Sequence, residues 1–98
     1  MQYISTRGQA PDLDFGDVLL TGLARDGGLY VPSDWPQLSH DDLRGLAGLP
    51  YSEAAARILQ PFMDGIGGDE LLEMTRAAYT SFADPGVVPL RQLSDGHW

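Results

Sequence analysis

Apolar positions divide this chain into short extended stretches and four helical ones. Tyr3-Ile4-Ser5-Thr6 reads as a strand, with Arg7-Gly8 at its exit. Phe15, Val18, Leu19 and Leu23 then recur at helical spacing and stop. They predict a helix from Phe15 to about Ala24, with Asp14 as N-cap and Asp17 favoured in the first turn by the helix dipole. Gly22 falls on the apolar face, where it either admits another backbone or weakens the last turn. Asp26-Gly27-Gly28 follows as a turn, since glycine enters positive φ without a Cβ clash. Leu29-Tyr30-Val31 reads as a strand of branched and aromatic residues, ended by Pro32.

Further along, Ser39 caps a helix from His40 to about Ala47, with Asp41 and Asp42 in its first turn. Ser52 opens the next helix, in which Ala55, Ile58, Leu59, Phe62 and Met63 keep a three-to-four spacing. Pro61 interrupts that pattern and predicts a kink or break. Asp69 and Glu70 begin the last helix, and Leu71, Thr75, Ala78, Tyr79 and Phe82 share one side of it. After the turn at Asp84-Pro85-Gly86, the segment Val87 to Leu93 reads as an edge strand. Ser94-Asp95-Gly96 then reads as a hairpin turn with only His97 and Trp98 beyond it. The expected fold class is α+β: a small, mostly helical domain with three to four helices packed on a short β-sheet. The sheet would be built from the segments near 2–6, 28–31 and 87–93. An unfinished hairpin makes residues 1–98 read as one domain, a fragment of a longer chain. A frayed tail is the alternative.

Composition sharpens this in a few places. A hydrophobic fraction of 43% argues for a packed core. There is no apolar run near the length of a membrane span and no basic-then-apolar secretory leader. Cysteine is absent, which excludes disulfides and suits a reducing cytoplasm. The net charge of −8, with no basic stripe, disfavours nucleic acid as a partner. All six cationic side chains are arginine and none is lysine. No residue here can therefore form a Schiff base, so no lysine-dependent covalent catalysis resides in these residues.

Candidate chemistry is sparse. His40 and His97 lack the spacing of metal ligands, so no metal site is expected. Gly65-Ile66-Gly67-Gly68 precedes a helix but lacks the phosphate-loop lysine and follows a helix where that motif needs a strand. The best polar cluster is Ser5-Thr6-Arg7-Gly8. Two hydroxyls and a guanidinium at a strand end suit an anion such as phosphate or carboxylate. The alternative is an ordinary ion pair between Arg7 and one of the many acids.

Tyr3 to Gly8, Phe15 to Leu20 and Gly22-Leu23-Ala24-Arg25-Asp26-Gly27-Gly28-Leu29-Tyr30-Val31-Pro32 together resemble the amino-terminal domain of the threonine synthase family. Ala77, Tyr79, Phe82 and Val88-Pro89-Leu90 continue the likeness. That family uses pyridoxal 5'-phosphate to convert O-phospho-L-homoserine and water to L-threonine and phosphate. The resemblance implies that the catalytic domains of the same parent chain are this domain's partner and that the small-molecule substrate is a phosphorylated amino acid. It also implies that the cofactor lysine, in a motif resembling His-Gly-Pro-Thr…Phe-Lys-Asp, comes shortly after Trp98. On that reading the 98 residues hold neither catalytic nor cofactor-binding residues and are inactive alone, while Thr6 and Arg7 lie near the anionic substrate. A free-standing, non-enzymatic interaction module is the competing expectation.

Overall fold

The structure, a computed structural model, describes residues 1–98. Asp14 starts the first helix as its sequence predicts. Its carboxylate accepts the Asp17 N–H at 2.9 Å, and the helix α1 runs over Phe15–Thr21. It ends three residues before Ala24 because Gly22 takes φ +71° and donates its N–H to Val18 O at 2.9 Å, closing the helix as a C-cap. Gly22 is therefore a helix stop, not a point of backbone approach on the helix face. Leu23, the last apolar residue of the predicted stripe, is left exposed.

Strand β1 (Tyr3–Ser5) pairs antiparallel with β2 (Tyr30–Pro32) in the register Tyr3↔Pro32, Ile4↔Val31 and Ser5↔Tyr30. Ser33 N bonds to Gln2 O and Thr6 N to Leu29 O, both at 2.8 Å. Hydrogen-bonded pairs alternate along such a ladder, so Pro32 falls opposite Tyr3 at a position where its missing N–H is not needed. Proline is accordingly the last residue of the strand and not the residue after it. At the other end Leu29 leaves the strand because its N–H goes to the Thr6 hydroxyl oxygen at 3.0 Å. Tyr3 spends its own main-chain groups on Leu13, at 2.8 and 3.0 Å, which brings Leu13 alongside β1.

Ser39 and Asp42 form a reciprocal capping box at the start of α2 (His40–Arg44). Gly45 ends that helix three residues short of the predicted end near Ala47, and the chain continues to Leu49 in turns closed between residues three apart. Helix α3 (Tyr51–Leu59) is entered through Pro50, one residue ahead of the predicted Ser52 start. At Pro61 the α-helical pattern tightens into a 3₁₀ turn over Gln60–Phe62, the expected break. Helix α4 (Gly68–Tyr79) packs against α3, burying Leu71 at 2% exposure along with Ala56 and Thr75. The Thr75 hydroxyl donates to Ser52 O at 2.9 Å, and Arg76 pairs with Glu53 at 3.0 Å on the rim.

The helical pair and the strand pair meet at the Tyr3 hydroxyl, which donates to Phe62 O at 2.5 Å. Trp35 stands edge-on to the Phe62 ring at 6.3 Å between centroids. Burial around Tyr3 pushes its phenol pKa up, with the Asp64 charge adding to the effect.

The third expected sheet segment, 87–93, does not form a strand. The turn at Asp84-Pro85-Gly86 extends through Val87, which takes φ +62°, and Val88 N reaches back to Gly86 O. Val88, Leu90 and Leu93 are exposed, and no strand lies beside them. The Ser94-Asp95-Gly96 turn does form, closed by His97 N to Ser94 O at 3.0 Å. The α+β class holds, with four α-helices and a two-stranded sheet.

Candidate functional site

The exit of β1 and the turn before β2 are knitted together by Asp26. Its carboxylate accepts from Ser5 Oγ at 2.8 Å to each oxygen, from Gly28 N at 2.9 Å and from Gln9 N at 2.9 Å. Ser5, the last residue of β1, is buried at 5% exposure, and its hydroxyl oxygen also accepts the Arg7 main-chain N–H at 3.2 Å. Burial acts to raise the Asp26 pKa. The hydrogen bonds from Gly28, Ser5 and Gln9 outweigh it and hold the carboxyl below its ordinary value. Gly28 is buried within this network, and a Cβ there would collide with Ser5 Oγ and stand 3.0 Å from both Asp26 Oδ1 and Thr6 Oγ1.

Thr6 and Arg7 sit side by side on the exposed rim of this network. Leu29 grips Thr6 twice, through Thr6 N to Leu29 O and Leu29 N to Thr6 Oγ1. The Thr6 hydroxyl thus uses its oxygen internally and keeps its own proton for another acceptor. Arg7 Nη1 donates to the main-chain carbonyl of Asp26 at 2.9 Å. Arg7 belongs to none of the three ion pairs, which join the N-terminal amine to Asp64, Arg44 to Asp41 and Arg76 to Glu53.

Of the residues singled out in the sequence, Ser5, Thr6 and Arg7 are therefore brought together with Gly27 and Gly28. His97 turns its ring toward Ser94 Oγ and Asp95 O in the terminal turn. Gly65 to Gly68 lead into α4 without meeting the Thr6–Arg7 rim in any hydrogen bond. Gln9 carries no distinguishing sequence signal, and Asp26 stands out only as the start of a turn within the stretch that resembles the family. An acid before two glycines marks a turn, and nothing local shows that Ser5 lies against it. A cavity of about 510 Å³ opens between α2 and α3, floored by Leu38, Leu46 and Ile58. Its acids are already engaged, Asp42 in the capping box and Asp41 with Arg44.

Known proteins resemble this chain along nearly its whole length. The family model described as threonine synthase N terminus matches residues 2–79. Threonine synthase from Pseudomonas aeruginosa is 48% identical over 99 residues, an alignment spanning 100% of this chain and 21% of that protein. Threonine synthase from Corynebacterium glutamicum is 39% identical over 102 residues, spanning 97% of this chain and 21% of its own. The crystal structure of PLP-bound threonine synthase from Brucella melitensis superposes with a TM-score of 0.89 at 48% identity, covering 94% of this chain and 20% of that one. The chain thus spans about a fifth of the length of the relatives it matches. It belongs to the family of threonine synthase amino-terminal domains.

Proposed function

We propose that residues 1–98 are the amino-terminal domain of a pyridoxal-phosphate-dependent threonine synthase, a cytoplasmic enzyme of threonine biosynthesis. The longer protein would convert O-phospho-L-homoserine and water to L-threonine and phosphate. The observation that carries this reading is near-half identity along the whole chain to a threonine synthase, joined to structural likeness over 94% of it.

Pyridoxal phosphate supplies the electron-withdrawing chemistry of such an enzyme and is held through a lysine amine. These 98 residues contain no lysine, so they do not fit a covalent site for it, and no step of the reaction is assigned to them. What this domain's residues do is bind and shape. Thr6 and Arg7 offer a hydroxyl proton and an uncompensated guanidinium to the anionic substrate. Leu19, Leu20, Leu23 and Leu29 are 66%, 87%, 66% and 60% exposed on α1 and the turn after it. Exposed apolar side chains of that kind fit a surface covered by the other four-fifths of the parent protein.

The test is to assay the complete protein and the 98-residue chain side by side for threonine and phosphate formed from O-phospho-L-homoserine. The complete protein, loaded with pyridoxal phosphate, is expected to turn over. The segment is expected to show neither turnover nor the absorbance of a cofactor imine. A complete protein that binds the cofactor yet makes no threonine would overturn the reading, and so would turnover by the segment alone.

A further inference from the structure

We infer that Gly27 and the Asp26 main-chain carbonyl form a seat that positions the Arg7 guanidinium to receive an oxyanion of the substrate. The inference rests on the substrate-side role proposed above for Arg7. Three observations carry it. First, Arg7 is anchored through one nitrogen only, Nη1 to Asp26 O, so its remaining N–H groups point to no protein acceptor. Second, any side chain at this position would push the guanidinium off its seat. Gly27 has φ +81°, and a Cβ there would lie 2.7 Å from Arg7 Nη1 and 3.3 Å from Arg7 Cζ. Third, the nearby carboxylate is kept away from the guanidinium. Asp26 is committed to Ser5, Gln9 and Gly28, so it offers Arg7 its carbonyl and not its charge. In a chain with fourteen acids and six arginines, this leaves an anchored cation outside any ion pair, on the residue next to a hydroxyl with a free proton. A guanidinium held this way matches the paired oxygens of a phosphate or carboxylate.

Gly27 and Asp26 are positioning residues, and the test separates positioning from folding. Steady-state kinetics of the complete enzyme would compare Arg7→Ala, Gly27→Ala, Gly27→Asn and the double variant Arg7→Ala/Gly27→Ala. Asparagine tolerates positive φ, so Gly27→Asn keeps the turn while still placing a Cβ against Arg7. Arg7→Ala is expected to raise KM about tenfold or more. Each Gly27 variant is expected to raise KM comparably and by more than any fall in kcat, and the double variant to match Arg7→Ala alone. Competitive inhibition by inorganic phosphate identifies the oxyanion. A parallel rise in its inhibition constant assigns the phosphate group, and an unchanged constant with raised KM assigns the carboxylate.

If Arg7→Ala raises KM and the Gly27 variants do not, the seat is refuted while the role of Arg7 stands. An unchanged KM in Arg7→Ala removes both. Multiplying effects in the double variant, or a KM rise confined to a variant with a lowered unfolding midpoint, also overturns the inference.

Discussion

Replacing Gly28 by alanine tests the packing of the Asp26 network directly. Gly28 is buried, and its N–H already serves Asp26 Oδ1 at 2.9 Å. The added methyl would overlap Ser5 Oγ and press on Asp26 Oδ1 and Thr6 Oγ1, each 3.0 Å away. Overpacking of this kind costs about 1–3 kcal/mol. The upper part of that range applies, because each of the three neighbours holds a hydrogen bond it would have to give up on moving. A penalty of about 2–3 kcal/mol lowers the melting temperature of a domain this size by roughly 8–24 °C. Thermal and urea unfolding of the 98-residue chain, followed by far-ultraviolet circular dichroism, would read it. A Gly28→Ala variant within about 0.5 kcal/mol of the parent would refute the reasoning, since the network would then have room that its geometry denies.

Three further outcomes follow from the same geometry. The folded-state pKa of Asp26 lies below its unfolded value of about 3.9, so the ionised carboxylate stabilises the fold above that pH and the contribution is lost as pH falls through the folded value. Asp26→Asn should therefore flatten the acid limb of a urea-midpoint-against-pH curve below about pH 4, and an unchanged limb would exclude Asp26 as a source of it. Tyr3→Phe removes the hydroxyl that donates to Phe62 O and should cost about 1 kcal/mol in urea unfolding, whereas an unaltered midpoint would mean that this hydroxyl does not help dock the sheet on the helices. Thr75→Val keeps the side-chain shape and removes the bond to Ser52 O, with an expected cost of about 1 kcal/mol; no change would show that this hydroxyl adds nothing to the α3–α4 contact.

What the sequence discloses here is what is decided locally. The caps at Asp14 and Ser39 are legible because the partner N–H lies three residues away. The break at Pro61 is legible because a missing N–H must interrupt a helix. Helix ends are less so. Leu23 keeps the apolar spacing past Gly22, and only the positive φ of that glycine stops α1. The segment 87–93 has strand-forming residues but no partner to pair with, and pairing is not a property of one segment. The candidate site divides in the same way. Ser5, Thr6 and Arg7 stand out as a polar cluster at a strand end. Asp26 does not, because its importance lies in meeting Ser5 across 21 residues and Gln9 across 17.

Only seven of the 98 residues are buried, while sixteen large apolar side chains remain exposed. Heat capacity of unfolding scales with apolar surface newly wetted, and polar surface contributes with the opposite sign. A fold that buries so few apolar side chains should accordingly unfold in isolation with a heat-capacity change per residue below the usual range of about 12–15 cal/mol/K. Its stability would then vary little between cold and warm conditions. The steeper curvature normal for a protein of full size would arise where exposed side chains such as Leu19, Leu20, Leu23 and Leu29 are taken out of water.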